Sequence, residues 1–318
     1  MAQTSATFGS VALENATWYQ GSRYSYPLTG HHTGGALAAI DILKRRGSEP
    51  PLHLHQNEHE IFVVLEGQTE FHSPLGVASA HPGAIAFLPK AIPHTFRICQ
   101  DWGKLLVLVA PSGFENYLLP FSPPATHLGM PPEPGELDIP ALIARGAEFG
   151  IDFFPPNTDV TKVPYHQPDG LVPFVQSRDD GETLDILGIT TIVKVSAADS
   201  AGTLSVFVTV DPPKVGPPLH THSREDETIC VMEGDYLIHD GAGIRPARPG
   251  DWAHFPKGVP HTYANAGDQP GRLLIVTTPG GYEAFFRDVH DSGRDRDKFM
   301  AVAANHGLEI CGPPITVP

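Results

Sequence analysis

The sequence contains one histidine-rich pattern twice, at a constant distance. Residues 51–67 read Pro-Leu-His-Leu-His-Gln-Asn-Glu-His-Glu-Ile-Phe-Val-Val-Leu-Glu-Gly, and residues 218–234 read Pro-Leu-His-Thr-His-Ser-Arg-Glu-Asp-Glu-Thr-Ile-Cys-Val-Met-Glu-Gly. Each matching position lies 167 residues later in the second copy, and a further histidine, His94 and then His261, keeps that distance. Self-similarity at a fixed spacing indicates a duplicated structural unit. Because 318 residues suffice for two domains of ordinary size, we predict domains at residues 1–156 and 157–318.

Short apolar runs separated by turn residues predict that both domains are built mainly from β-strands. The chain has 32 glycines and 33 prolines, while its hydrophobic fraction of 41% is enough to form real cores. One helix is predicted from Asp138, an N-cap residue followed by Pro140 in the first turn, to Phe149. A similar segment recurs from Lys298, so we expect a short helix to close each repeat.

The repeated pattern has the residue types and the spacing of a metal site. Two histidines separated by one residue point to the same face of a strand, so one strand can supply two ligands. Three imidazoles and one carboxylate are a ligand set for a single divalent transition metal ion. The predicted ligands are His53, His55, Glu60 and His94 in the first copy, and His220, His222, Glu227 and His261 in the second.

This ligand set leaves the identity of the metal open. No cysteine belongs to either copy's ligand set, and histidine with glutamate accepts iron, manganese, cobalt, nickel or copper. We expect one or two metal ions per chain and put iron first, because a cytosolic setting makes it available.

The three cysteines are few and contain no C-x-x-C pair, which favours a reducing compartment over a disulfide framework. A cytoplasmic location is therefore predicted.

The charge balance excludes several classes of partner. With 21 basic and 36 acidic residues, the formal charge of −15 disfavours nucleic acid and anionic membrane surfaces. No run of ~18 apolar residues suggests a membrane span. A small molecule held at the metal is the expected partner, and a homodimer is compatible with the sequence.

The two copies also carry framing glycines and prolines that resemble a known family pattern. The first copy has Gly47, Gly67, Gly83 and Pro89 around its ligands, and the second has Gly234, Gly250, Pro256, Gly258 and Asn265. This arrangement resembles the two motifs of the cupin superfamily, whose members are jelly-roll barrels of antiparallel strands. The resemblance implies an all-β chain of tandem jelly-roll (double-stranded β-helix) barrels, a bicupin. The departures from the pattern are Ala91, Ile98 and Lys214, which stand where Gly, Asn and Gly are expected.

Among bicupins, the chain resembles the quercetin 2,3-dioxygenase-like group, with a Pro-x-Gly-aromatic-Glu turn in each repeat. That resemblance implies a metal-dependent dioxygenase that cleaves an enolisable aromatic or flavonol-like molecule with O2. Glu60, or Glu227 in the second copy, would be the catalytic residue that takes the proton of the substrate hydroxyl. Strand parity predicts the substrate-lining residues as Phe62, Val64 and Phe96 in the first copy and Ile229, Val231 and Tyr263 in the second.

Two alternative functions fit the same ligands. In one, the metal acts only as a Lewis acid in a redox-neutral isomerase, cyclase or lyase of a small biosynthetic intermediate. In the other, the barrels bind a small molecule without catalysis. We expect the first copy to be the active one, because phenylalanines are more numerous near its motifs.

Overall fold

The chain forms two compact units in a computed structural model that describes residues 5–133, 138–165, 167, 170–293 and 295–317. The first unit consists of Val11–His31 and Gly35–Asp179. The second consists of Met1–Ser10, His32–Gly34 and Asp180–Pro318, of which residues 1–4, 294 and 318 lie outside the described part.

The first unit contains twelve described strands and two α-helices. Its strands are β2 (Ala16–Tyr19), β3 (Ser22–Leu28), β4 (Ala38–Arg45), β5 (His53–His55), β6 (His59–Glu66), β7 (Thr69–Ser73), β8 (Gly76–Ala80), β9 (Ile85–Leu88), β10 (Thr95–Ile98), β11 (Trp102–Ala110), β12 (Ile151–Phe153) and β13 (Phe174–Gln176). Its α-helices are α1 (Phe114–Leu118) and α2 (Ile139–Glu148), and short 3₁₀ turns lie at Leu13–Asn15, Leu119–Phe121 and Val160–Lys162.

The second unit repeats this plan. Its described strands are β1 (Thr7–Gly9), β14 (Glu182–Ile186), β15 (Ile189–Val195), β16 (Ser205–Asp211), β17 (Leu219–His222), β18 (Asp226–Glu233), β19 (Tyr236–His239), β20 (Ile244–Ala247), β21 (Trp252–Phe255), β22 (Thr262–Asn265), β23 (Gly271–Thr278) and β24 (Leu308–Gly312). Its helices are α3 (Glu283–Ser292) and α4 (Arg296–Asn305). None of the helices in the described ranges has the length and hydrophobicity needed to span a bilayer.

Each unit is an antiparallel jelly roll with a hydrophobic interior. In the first unit a seven-stranded sheet has the order β13-β9-β6-β11-β4-β3-β2, a three-stranded sheet has the order β10-β7-β8, and β12 pairs with β5. The second unit has the equivalent orders β1-β21-β18-β23-β16-β15-β14, β20-β19-β22 and β17-β24. A cluster of buried apolar and aromatic side chains fills each interior. The predicted all-β fold with tandem jelly-roll barrels and a few short helices is thus confirmed.

The helix α2 begins where the sequence predicts, and α4 begins at Arg296, two residues before the predicted segment from Lys298. Asp138 is the N-cap of α2, and its side chain accepts a hydrogen bond from the Ala141 N–H at 3.0 Å. Asp295 caps α4 in the same way, accepting from the Asp297 and Lys298 N–H groups. These bonds satisfy N–H groups that have no partner within the helix.

The spatial units do not coincide with the predicted division at 156/157. Residues as far as Asp179 belong to the first unit, because β13 pairs with β9 at the edge of the large sheet. Conversely, β1 at the start of the chain pairs with β21 in the second unit. The sequence repeat marks the duplicated segment, whereas these edge strands lie outside it.

Candidate metal centres

The first predicted ligand set comes together inside the first barrel. His53 and His55 lie on β5, and a bend at residues 56–58 leads into β6, which carries Glu60. His94 precedes β10 and forms an isolated β-bridge with His53, with backbone hydrogen bonds in both directions. Two hydrogen-bonded strand segments and the next strand in sequence therefore supply all four side chains.

The four side chains are buried and converge on one point. One ligand atom from each residue lies within 4.8 Å of the others. The His94 Nε2 is 2.8 Å from a Glu60 carboxylate oxygen, and the His55 Nε2 is 3.5 Å from the same oxygen. His220, His222, Glu227 and His261 form the equivalent buried group in the second barrel. There, the Nε2 atoms of His222 and His261 lie 3.2 Å and 3.5 Å from the Glu227 carboxylate.

Outer contacts hold the Nδ1 side of each imidazole and leave its Nε2 to face the centre. In the first barrel the His53 Nδ1 lies 2.9 Å from the Pro51 carbonyl, and the His94 Nδ1 lies 2.8 Å from the Ile92 carbonyl. The His55 Nδ1 lies 3.5 Å from the carboxylate of Glu58. A carbonyl can only accept, so these contacts fix the proton on Nδ1 and make Nε2 the metal-binding atom.

The second barrel reproduces these outer contacts. The Nδ1 atoms of His220 and His261 lie 2.7 Å and 2.9 Å from the carbonyls of Pro218 and Val259. The His222 Nδ1 lies 3.8 Å from the Glu225 carboxylate. Glu58 and Glu225 were not among the functional residues predicted from the sequence. Their signal was their own 167-residue spacing, combined with a position three residues after the second histidine.

The electrostatics of each group favour an ionised carboxylate beside a neutral first histidine. Burial and the neighbouring histidines lower the pKa of His53 to about 3, and the same causes lower that of His220 to about 3. Burial opposes the charge on Glu60, but the adjacent imidazoles outweigh it and lower the pKa of Glu60 to about 2. The pKa of Glu227 is likewise held well below its ordinary value.

The second histidine of each motif behaves differently, because it lies between two carboxylates. Burial lowers the pKa of His55, but Glu60 and Glu58 outweigh burial and raise it. In the second barrel burial again lowers the pKa of His222, but the nearby carboxylates of Glu225 and Glu227 outweigh burial and raise it to about 9. A metal ion entering either group therefore competes with a proton on this histidine.

The donor sets fit a divalent metal ion on direct structural grounds. Buried polar atoms normally have partners, yet both ring nitrogens of His55 and of His222, and the Nε2 of His261, lack a hydrogen bond within normal limits. Three Nε2 atoms and a carboxylate facing one point match the ligands that transition metals prefer. Each barrel thus has a site for one divalent metal ion.

Two departures from the family glycine pattern keep the backbone conformation of glycine. Gly47 and Gly258 have positive φ angles of 87° and 82°. Lys214 and Ala91, which stand at the equivalent positions, have φ angles of 65° and 62°. The Ala91 N–H donates to the His55 carbonyl at 2.6 Å. These loops therefore have the same backbone conformation in both barrels, although a residue other than glycine is strained at a positive φ angle.

A cavity of about 420 Å³ opens onto the first metal centre. His53 and Glu60 form its polar end, and most of the remaining wall is apolar or aromatic. Among the predicted substrate-lining residues, Phe62 and Phe96 line this cavity. Val64 instead lies in the hydrophobic core and does not line the cavity.

The second barrel has a smaller cavity, of about 230 Å³, beside His220 and Glu227. Tyr263 lines it, as predicted from strand parity, whereas Ile229 and Val231 lie in the core and not in the wall. The long helices α3 and α4 place Phe285, Phe286 and Phe299 in this wall, which narrows the space.

The turns after β11 and after β23 each place an aromatic ring against a ligand. The Phe114 ring lies 4.9 Å from the His55 ring, edge to face, and lines the first cavity. Tyr282 lies 4.7 Å from the His222 ring in the same arrangement. Glu115 fixes the first of these turns by accepting the Gly30 and Gly113 N–H groups, each at 2.8 Å. The sequence showed this motif, but its contact with a ligand appears only in the structure.

Comparison with known proteins agrees with this architecture. The cupin domain family matches the chain twice, at residues 42–110 and 206–277. A quercetin 2,3-dioxygenase from Bacillus subtilis is 25% identical over 269 residues, which is 82% of this chain and 79% of that protein.

Solved structures share the fold at lower identity. An oxalate decarboxylase from Lactobacillus farciminis, crystallised as a formate complex, superposes with a TM-score of 0.58 at 17% identity, covering 89% of this chain and 88% of its own. An oxalate decarboxylase from Bacillus subtilis gives a TM-score of 0.58 at 14% identity, covering 100% and 89%. At such identities the structural likeness establishes the fold and leaves the reaction to be argued from the site.

Proposed function

We propose that this chain, in which each barrel contains a match to the cupin domain family and holds one metal-binding tetrad, is a metal-dependent dioxygenase. Its proposed substrate is an enolisable aromatic small molecule of the flavonol type. The observation that carries this proposal is the first cavity, in which a buried tetrad forms one end of a large and mainly apolar space. The similarity to a quercetin 2,3-dioxygenase supports the same reading.

The shape and lining of the cavity favour a flat apolar guest. A volume of about 420 Å³ lies in the range of sites for drug-sized ligands. Phe62, Phe96 and Phe114 offer ring faces and edges near the tetrad. A two-carbon dianion such as oxalate would leave most of this apolar space unfilled. We therefore place the function apart from that of the oxalate decarboxylases that share the fold.

Glu60 is the proposed proton acceptor. Its carboxylate is buried, ionised at neutral pH and reached from the cavity. A carboxylate with so low a pKa is a weak base, so the substrate hydroxyl must itself become acidic in the bound state. A divalent transition metal held by His53, His55, His94 and Glu60 would supply Lewis-acid stabilisation of the substrate oxyanion and a means of reacting it with O2.

The remaining residues orient the guest and exclude water. Phe62 and Phe96 lie 5.4 Å apart between ring centres, and Phe114 and Tyr117, which also line the cavity, stack with their ring centres 5.9 Å apart. Such walls hold an aromatic plane in a fixed direction relative to Glu60. Enclosure by α1 and α2 limits the access of bulk water to a reactive anion.

The direct test compares Glu60→Gln with Glu227→Gln. Gln keeps the size of the side chain and removes the proton acceptor, so we expect Glu60→Gln to lose at least ~100-fold in turnover, within the usual range for general base catalysis. Turnover is measured as O2 consumption with flavonols and other enolisable aromatics, together with the metal content of each variant. Loss of turnover in Glu227→Gln alone would move the activity to the second barrel.

Oxygen consumption also separates the proposal from redox-neutral chemistry. If a substrate turns over equally well without O2, the protein is an isomerase, cyclase or lyase and the dioxygenase proposal is wrong. A protein that takes up no metal would instead indicate a non-catalytic binding role. Iron as the metal, a cytoplasmic location and a homodimeric state remain predictions from the sequence.

A further inference from the structure

The first cavity contains a buried cation far along the chain from the metal ligands. Lys44 lies on β4, is 1% exposed and lines the cavity. It is the only lysine or arginine among the described residues that form this wall. Lysine is rarely buried unless it is paired, so its presence in an apolar wall calls for an explanation.

The Lys44 ammonium has few partners within the protein. Its Nζ donates to the Ser22 hydroxyl at 3.0 Å, and it lies 5.8 Å and 5.9 Å from the ring centres of Tyr24 and Phe96. No carboxylate in the described part of the chain lies within 4.0 Å of it. An ammonium group has three donors, so hydrogen-bonding capacity is left for a molecule in the cavity.

Strand register places Lys44 away from the tetrad. On β4, Ala38 pairs with Val109 of β11, which in turn pairs with Glu60 of β6. Lys44 is six residues further along β4 than Ala38, so its backbone is displaced along the strand from that level, and its side chain extends to within 5.9 Å of the Phe96 ring centre. The apolar side chains of Phe62 and Val107 line the cavity between these levels. The cavity therefore has one polar end at Glu60 and a second at Lys44.

The second barrel does not share this feature. Asp211 lies 167 residues after Lys44, at the equivalent place on β16. Its carboxylate accepts hydrogen bonds from the Tyr236 and Thr209 hydroxyls, at 2.6 Å and 2.8 Å, and it does not line the second cavity. Among the described residues, a cation in the cavity wall occurs in the first barrel and not in the second.

We propose that Lys44 is a substrate-binding residue that receives an oxyanion, a carboxylate or phenolate, at the end of the guest remote from the metal centre. This inference rests on the proposed function and narrows it to aromatic substrates with an acidic group opposite the reacting hydroxyl. Such a pairing would offset the cost of burying an ammonium that has no carboxylate within 4.0 Å among the described residues.

The protonation state of Lys44 can also be measured, as proton uptake on ligand binding. Burial lowers the pKa of Lys44 to about 7, against the opposing charge of Glu49. The titratable groups facing it are Glu49, from the loop after β4, and Tyr24, whose pKa burial holds above its ordinary value. An anion placed beside Lys44 favours the charged amine. Binding at pH 8 should therefore take up close to one proton.

The test uses para-coumarate and its methyl ester, which share a phenol and differ in the remote carboxylate. Affinity and proton uptake are measured by calorimetry on the full-length protein, at pH 8 in buffers of different ionisation enthalpy. We expect the acid to bind wild type about 10- to 100-fold more tightly than it binds Lys44→Met, as for hydrogen bonds to charged groups. The ester should bind both proteins alike, without the extra proton.

Lys194→Met is the matched control. Lys194 is also 1% exposed, but it lies on β15 of the second barrel, where its ammonium donates to the Asp180 carbonyl. Its replacement should leave the affinity for para-coumarate unchanged. Proton uptake in wild type needs no variant, so the inference stays testable even if Lys44→Met folds poorly.

Two results would overturn the inference. One is equal binding of acid and ester to wild type with no difference in proton uptake, and the other is failure of both compounds to bind. Either result leaves O2 consumption with other substrates unaffected. Conversely, a protein that binds the acid through Lys44 but never consumes O2 would refute the dioxygenase and keep the anion site.

Discussion

The contact between His55 and Glu58 leads to a quantitative prediction about metal affinity. Glu58 is buried, and its carboxylate oxygen lies 3.5 Å from the His55 Nδ1, opposite the Nε2 that faces the centre. We expect Glu58→Gln to weaken metal binding in the first barrel. The Gln amide oxygen can still accept the Nδ1 proton, but the substitution removes the negative charge that makes the His55 imidazole a stronger metal ligand.

The size of the effect follows from Coulomb's law. Two unit charges 3.5 Å apart interact by about 5 kcal/mol at an effective dielectric constant of ~20. A neutral imidazole N–H carries roughly a third of a unit charge, which leaves about 1.5 kcal/mol, or about tenfold in affinity. Glu58 also raises the pKa of His55, so its removal reduces competition by protons. The loss in affinity should therefore become smaller as the pH falls.

The assay is a titration with a divalent metal in the presence of a competing chelator. His261→Ala removes one ligand of the second tetrad, so that the remaining signal comes from the first barrel. Glu58→Gln is compared in this background with Glu148→Gln, which changes an exposed carboxylate. Unchanged affinity in Glu58→Gln across the pH range would show that Glu58 does not hold His55, and the reasoning would be wrong.

Two further predictions concern stability. Burial raises the pKa of Asp211 to about 6, so the free energy of unfolding is highest below about pH 4, where the carboxyl is protonated, and falls as the pH rises through 6. Asp211→Asn should remove this pH dependence and make the protein more stable than wild type by about 3 kcal/mol at pH 8. Thermal denaturation between pH 4 and 8 measures both effects. Ala91→Gly should raise the melting temperature by relieving a φ of 62°, with a net gain of about 0.5–1 kcal/mol, and Gly258→Ala should lower it. A steeper slope in Asp211→Asn, or a lower melting temperature in Ala91→Gly, would contradict these arguments.

Local chemistry explains what the sequence predicted correctly. The tetrads depend on a His-x-His pair on one strand and on turns marked by glycine and proline, and these are read directly from residue types. Asp138 marks the start of α2 because an N-cap acts on N–H groups within one turn. Repetition then confirmed each assignment at a second place in the chain.

Long-range pairing explains what could not be predicted. The strand β1 pairs with β21, more than 240 residues away, and nothing in its three residues specifies that partner. Strand parity placed Val64 and Phe62 on one face, which is correct, but it could not show where the cavity ends. Glu58 was overlooked because parity assigns a face only within a regular strand, and Glu58 lies in the bend before β6.

The two barrels have the same metal-binding residues but different cavity walls. The physical reason is that the metal sites and the walls are built from different structural elements. The tetrads and their outer carbonyls are fixed by strand register, so any change in β5 or β6 would displace several ligands at once. The walls come from helices and from single interior positions, which can change independently. Thus a short α1 leaves about 420 Å³ in the first barrel, whereas the longer α3 leaves about 230 Å³ in the second. One equivalent position carries a basic residue, Lys44, in the first barrel and an acidic residue, Asp211, in the second. Metal content alone therefore cannot show which barrel is active, because both tetrads suit the same ions. The size and charge of the substrate that is bound can show which barrel is active, because these properties depend on the cavity walls, and the walls differ between the barrels.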